Sequence, residues 1–290
     1  RKRIKDFRPQ VVHIHNMHFG ASPSILFAAK SLGVPVVGTL HNYRAICPSA
    51  TLFHNGRLFL HSLHQKFPRT AVLHRVYKNS WLLSAWVSFC VYMQRRWEVW
   101  KKFDRLIVLT QFSRSLLLKS PLQLLPDKVV VKSNFTFEPA SPNEHQRKKY
   151  FLFVGRLSPE KGISVLLEAF QNSDHQLKIA GDGPLRGLVT KACDFAPNIQ
   201  YVGAQESTAI QSLMQECTAL VFPSVWYEGM PMTLLEAFAT GTVVIASRLG
   251  SMSCMVEQGN NGFLFEAGHS QSLRTALDQW ASLPVSKQHV

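Results

Sequence analysis

Short runs of apolar, mostly β-branched residues alternate along the chain with longer stretches whose apolar positions repeat at helical spacing. VVHIHN (11–16) leads into a helical stretch around 22–33, then PVVGTLH (35–41), with RLIVLT (105–110) and KVVVKSN (128–134) further on. A second series follows a polar break: YFLFVG (150–155), QLKIAG (176–181), IQYVG (199–203), ALVFPS (219–224) and VVIAS (243–247). Buried strands alternating with helices predict parallel sheets, and two such series predict two α/β domains. The break, TFEPASPNEHQRKK (136–149), is rich in Pro, Ser, Asn and charge. It places the domains at 1–137 and 150–290, with a linker at 138–149.

One region interrupts the alternation. Between 62 and 105 lies KNSWLLSAWVSFCVYMQRRWEVWKK, whose run from Asn79 to Gln94 carries no charge and is flanked by Lys78, Arg95, Arg96, Lys101 and Lys102. The run falls short of the roughly 20 apolar residues of a membrane span. Two readings stay open: a basic, aromatic helix lying in a bilayer interface, or a core helix hairpin with solvated charges at its ends.

Composition narrows the class. The 290 residues are 46% hydrophobic and 17% charged, which predicts packed cores, and the formal net charge is +14 with a pI near 9.8. That excess points to an anionic partner: a phosphorylated ligand, anionic lipid or nucleic acid. The basic residues are dispersed and no RNA- or DNA-binding motif is present, so a nucleic acid partner is not expected. Five scattered cysteines, an odd number without CxxC spacing, predict reduced thiols and a cytoplasmic protein, which makes the sequon NFT (134–136) a chance match. RKRIKDFRPQ opens as though in the last turn of a helix, with no signal peptide, and suggests a fragment of a longer protein.

The candidate chemistry lies in loops at strand ends. GRLSPEKG (155–162) follows a strand and places Arg156 and Lys161 beside a helix N-terminus, a setting suited to a diphosphate. GDGPLRG (181–187) has the spacing GxGxxxG and lacks a following acidic residue at a strand end, so a dinucleotide fingerprint is disfavoured. EGMPMTLLEAFATG (228–241) follows ALVFPS. Pro231 suits a first helical position and Gly241 a C-terminal cap, so Glu228 falls in the loop and Glu236 inside the helix among Leu234, Leu235, Ala237 and Phe238. A carboxylate among apolar neighbours needs partners, and the two hydroxyls of a sugar diol would supply them. In HIHNMH (13–18), alternation puts His13 and His15 on one strand face, with His18 beyond; structural histidines are favoured over a metal site.

GRLSPEKG, GDGP, EGMPMTLLEAFATG and NGFLFEAG in this order, with HIHN and TLHNYRAICPS upstream, resemble glycosyltransferase family 4 over most of the chain. The resemblance implies a GT-B fold, in which two Rossmann-like, doubly wound domains face a cleft. It also implies retaining transfer of a hexose-type sugar from a nucleotide diphosphate donor to a glycan or lipid-linked acceptor in polysaccharide or glycolipid synthesis, without a metal or other cofactor. Arg156 and Lys161 would hold the diphosphate. Glu228, Gly229, Met230, Pro231, Met232 and Thr233 would meet the sugar and phosphate, although Pro231 has no N–H to give. Glu236 would take the ribose hydroxyls. Gly155, Gly181 and Gly183 would line the donor site, Val202 and Gly203 would border the base, and His41 would face the donor across the cleft. The protein would be cytoplasmic and peripheral on the inner membrane face, touching anionic lipid. Against the family pattern, the chain lacks an opening strand with its glycine-rich loop, the last C-terminal helices, and all but Cys47 of a cysteine-bearing stretch. These gaps raise a second reading, a nucleotide-sugar-binding module without turnover.

Overall fold

The computed structural model describes residues 1–17, 22–137, 147–171 and 173–283. His18 and 138–146 of the expected linker therefore lie outside the described residues. The chain divides into two compact units, Arg1–Ser133 and Asn134–Val290.

The first unit contains α1 (Lys2–Phe7), β1 (Val12–His15), α2 (Ser24–Lys30), β2 (Val36–Leu40), β3 (Phe53–His54), β4 (Arg57–Leu58), α3 (Arg69–Leu73), α4 (Trp81–Arg96), β5 (Arg105–Val108), α5 (Gln111–Leu118) and β6 (Val129–Val131). Its parallel sheet has the order β1-β2-β5-β6, so the chain steps across it in one direction. β3 and β4 form a separate antiparallel pair. Asp104 fastens the sheet to a helix: its carboxylate accepts from Lys30 Nζ at 2.6 Å and from the Val36 amide at 2.7 Å.

α4 bears on the two readings left open for 62–105. Ser80 caps its start by accepting from the Leu83 amide. Its buried face carries Ser84, Ser88, Val91 and Gln94, whereas Leu82 is 73% exposed, Trp86 64% and Phe89 47%. The largest apolar side chains thus face outward, which a fully buried core helix would not show, while Ser84, Ser88, Val91 and Gln94 face in. Ser84 makes the inward contact local, its Oγ lying 3.0 Å from the Tyr77 amide that donates to it.

The second unit contains β7 (Phe151–Val154), α6 (Ile163–Gln171), β8 (Leu177–Ala180), α7 (Arg186–Phe195), β9 (Ile199–Gly203), α8 (Ser207–Glu216), β10 (Ala219–Phe222), α9 (Met232–Ala239), β11 (Val244–Ser247), α10 (Met252–Met255), β12 (Gly262–Phe265) and α11 (Ser270–Ala281). The sheet is parallel throughout, in the order β12-β11-β10-β7-β8-β9. Both faces are covered. Phe151, Phe153, Val221 and Ile245 pack with Leu166, Val189 and Leu277, while Leu152, Leu220, Phe222, Val244 and Ala246 pack with Met214, Leu234 and Met252. Successive residues of each strand thus enter opposite cores, which is why these strands read as unbroken apolar runs. The winding reverses between β7 and β10. The carboxyl ends of strands at such a reversal are where open α/β sheets bind ligands.

Candidate functional site

The loops leaving β7 and β10 meet at that reversal. The β7 loop passes Gly155 and Arg156, makes a single helical turn over Pro159–Lys161, and enters α6 after Gly162. The β10 loop runs from Pro223 to Pro231 before α9. Two glycines let the loops nest. Gly162 has φ +72°, and a Cβ there would fall on the Pro223 carbonyl. Gly181, at the end of β8, lies so close to Gly155 that a Cβ would fall on the Gly155 carbonyl oxygen. The GDG turn is therefore a backbone-packing device between neighbouring strand ends.

An ion pair bridges the two loops. Lys161 Nζ donates to Glu228 Oε1 at 2.7 Å, with side-chain exposures of 19% and 8%. Ser224 Oγ donates to the same oxygen at 2.8 Å. The ammonium also lies 5.4 Å from the centroid of Phe222 and 5.7 Å from that of Trp226, within cation–π range. Ser251, after β11, donates to the carbonyls of Glu228 and Gly229 at 2.8 and 2.7 Å, which fixes the turn between them. The Val225 amide donates to the Glu160 carbonyl at 2.9 Å, a second tie between the loops. Trp226 Nε1 is a buried donor without a partner among the described residues.

Around this pair the remaining expected residues fall into groups. Arg156 is exposed, and no bond to its guanidinium is found among the described residues. Gly229, Met230 and Pro231 complete the β10 loop; the Asn134 side-chain amide donates to the Met230 carbonyl at 3.4 Å. Pro231 is the cap residue, in extended conformation, one position earlier than expected. Met232 and Thr233 open the first turn of α9, with no side chain bonded to its free amides. Those amides give the turn an affinity for anions. Gly183 follows Gly181 in the β8 loop. Val202 and Gly203 end β9, and the Gly203 carbonyl accepts from the Gly181 amide at 2.8 Å.

One of the two glutamates departs from the sequence reading. Glu228 lies in the β10 loop as expected, and it is buried there at 6% exposure. Glu236, expected among apolar partners, is half-buried in α9. Helix geometry explains the second result: two residues on from the buried Leu234 is about 200° around the helix, away from the face that Leu234 shares with Ala237.

His41 belongs to the first unit, just after β2. Its Nε2 lies 2.8 Å from His15 Nδ1, and the His15 ring lies 4.2 Å from that of His13, centroid to centroid. His13 in turn meets Thr39 Oγ1 at 2.8 Å. Loss of solvent, followed by the neighbouring imidazoles, holds His41 and His13 below the ordinary histidine value. Among the described residues, no group of three or more His, Cys, Asp or Glu is arranged to hold a metal ion.

Sequence reasoning missed Ser224, Trp226 and Ser251. Ser224 and Trp226 had a local signal, since polar and aromatic residues directly after a buried strand mark its ligand-facing end. Ser251 had none, because its partners are more than twenty residues away in sequence.

Comparison with known proteins bears directly on this unit. Residues 134–290 match the family described as Glycosyl transferases group 1. A glycosyltransferase of Methanocaldococcus jannaschii, MJ1178, is 33% identical over 130 residues, or 43% of this chain and 36% of its own length. The phosphatidyl-myo-inositol mannosyltransferase of Mycobacterium leprae is 33% identical over 135 residues, covering 44% of this chain and 36% of its own. The chain thus matches little more than a third of these curated relatives. Among solved structures, Anabaena Alr3699/HepE in complex with UDP superposes with a TM-score of 0.68 at 16% identity, over 99% of this chain and 73% of that one. The lipopolysaccharide outer core galactosyltransferase WaaB gives 0.64 at 19% identity, over 97% and 68%. These likenesses assign the fold, GT-B. Together with the family match over more than half of its residues, they establish that the chain belongs to the group 1 glycosyl transferases.

Proposed function

We propose that this protein is a retaining, family 4 glycosyltransferase that moves a hexose-type sugar from a nucleotide diphosphate donor to a glycan or lipid-linked acceptor. The observation that carries the reading is the part-buried Lys161–Glu228 pair at the winding reversal, with Arg156 exposed in the same loop as Lys161. Cleaving the bond between sugar and diphosphate builds negative charge on the leaving phosphate and positive charge on the sugar. Lys161, Arg156 and the first-turn amides of α9 suit the former, because fixed cations and dipoles need not reorganise as that charge grows. Glu228, held by Ser224 and Lys161, suits the latter and the sugar hydroxyls. Glu236 has no side-chain partner among the described residues, and it is assigned the two ribose hydroxyls. Gly155, Gly181 and Gly183 would bring backbone close to the donor, with Val202 and Gly203 beside the base. The acceptor would attack on the face from which the phosphate leaves. His41 is included by the resemblance of TLHN alone. No metal or other cofactor is assigned.

UDP is the first donor nucleotide to test, since it occupies the Anabaena HepE complex. A panel of nucleotide sugars, read out as released nucleotide with and without a lipid extract, identifies donor and acceptor class. Arg156→Ala is the cleanest variant, because the exposed side chain can be removed without unfolding the protein. It should lower kcat about 100-fold. Glu236→Ala should raise the donor KM about 10-fold or more, with a smaller change in kcat. Unchanged kinetics in both variants would sink the site assignment. Donor-dependent thermal stabilisation without donor consumption would favour the binding-module reading.

A further inference from the structure

The first unit presents a surface that the donor chemistry does not use. Leu82, Trp86, Phe89, Met93 and Arg96 recur at intervals of three and four along α4, so they share one outward stripe. Trp86 and Phe89 touch across it, their ring centroids 6.2 Å apart. Trp97, directly after the helix, is 59% exposed. In water this arrangement is unfavourable, because it solvates large apolar side chains while Ser84 and Ser88 occupy the buried face.

The stripe ends at a basic cavity. Arg96 lines a pocket of about 690 Å³ together with Lys66, Arg95, Lys119, His64 and Tyr92. Among the described residues, no carboxylate lines it. Lys66, Arg96 and Lys119 are exposed and form no ion pair among the described residues. Arg95 is spent internally, donating to the carbonyls of Gln65 and Ile46 at 2.8 and 2.7 Å, which ties the pocket wall to α4. Arg75 and Lys78, near the other end of α4, are also exposed and form no ion pair among the described residues.

We propose that the first unit docks on an anionic lipid bilayer, with the α4 stripe lying in the interfacial layer and the basic pocket receiving a lipid phosphate. Apolar and cationic groups are continuous on one face, and a bilayer with anionic headgroups satisfies both together. A second copy of the chain fits less well, since pairing the stripe with itself would oppose Lys66, Arg96 and Lys119 to their own copies. A span is excluded for this helix: at 16 residues α4 is too short, and no helix among the described residues is long and apolar enough to cross a membrane. The surface is independent of the donor reading.

The test is co-sedimentation with vesicles, without any sugar donor. Vesicles of phosphatidylcholine mixed with phosphatidylglycerol should bind the protein, and vesicles of phosphatidylcholine alone should not; equal binding to both, or to neither, overturns the proposal. Trp86→Ala combined with Phe89→Ala should cut partition about 10-fold or more, and Lys66→Ala and Lys119→Ala about fivefold each. All four positions are exposed, so unchanged melting curves will confirm that the variants fold. If inorganic phosphate displaces the protein from vesicles and the Trp86/Phe89 variant binds them undiminished, the pocket is a free-phosphate site and the bilayer proposal fails. If light scattering shows a dimer that the Trp86/Phe89 variant dissolves while vesicle binding is unchanged, the stripe is a self-association face and the proposal fails.

Discussion

Lys161 is held by a carboxylate and two aromatic rings while keeping about a fifth of its side chain exposed. A cation held this way is fixed before any ligand arrives, which is the condition for stabilising charge that develops in a reaction. Its position depends on the residue beside it. Gly162→Ala combines a left-handed φ with a clash against the Pro223 carbonyl, and should destabilise the second unit by about 2–4 kcal/mol, measured as a lowered urea midpoint. The same variant should weaken donor binding, because it pushes apart the loops that carry Lys161 and Glu228. The histidines of the first unit give a pH prediction. His13 and His41 have lowered values when folded, so below about 6.5 the unfolded chain binds protons that the folded chain does not. Their contribution to stability is complete above that pH and is lost as the pH falls through their folded values. Denaturation midpoints of the first unit should therefore decline on acidification, and His15→Asn should flatten the decline by removing the neighbour that acts on both. EGMPMTLLEA marked Glu228 and Glu236 as candidates from sequence and put Glu228 in the loop, but the depth of burial of each was not legible, because it is set by the helix face and by loops distant in sequence.

The helix α4 shows what a local pattern can and cannot say at the scale of an element. Its apolar run, its Ser80 cap and its basic ends predict a helix and place its boundaries. They do not say which face points inward, because an apolar stripe can meet either the protein core or an apolar partner outside it. Ser84 and Ser88 are fully buried on the inner face, beside Val91 and Gln94, so a larger side chain there must displace its neighbours. Ser88→Leu should accordingly cost about 1–3 kcal/mol through overpacking, whereas Trp86→Ser should leave the melting temperature nearly unchanged. The opposite ranking would mean that the helix is turned the other way. β12 and the β3–β4 pair escaped the sequence reading for a related reason. GFLF follows two asparagines and a glycine within NGFLFEAG and has too few residues to establish a period, so only its pairing with β11 makes it a strand.

At the scale of the molecule, the second unit carries its own two-sided core and a complete doubly wound sheet. Residues 134–290 expressed alone should fold cooperatively and keep any nucleotide-dependent thermal stabilisation that the whole chain shows; a melt without a sharp transition would mean that the core needs the first unit. The amino-acid sequence by itself determined the strand and helix periods, the parallel α/β class, the two series and the loops that hold the candidate chemistry. Those are consequences of local spacing: apolar runs need burial on both faces, and glycine and proline mark the turns between them. The tertiary structure alone decided which strands are neighbours, and hence that the β7 and β10 loops meet and join Lys161 to Glu228. It alone also decided which glutamate is buried and which face of α4 meets water. These depend on the order of strands in the sheet and on the packing of segments far apart in the chain, where the decisive free energy comes from contacts that no local pattern encodes.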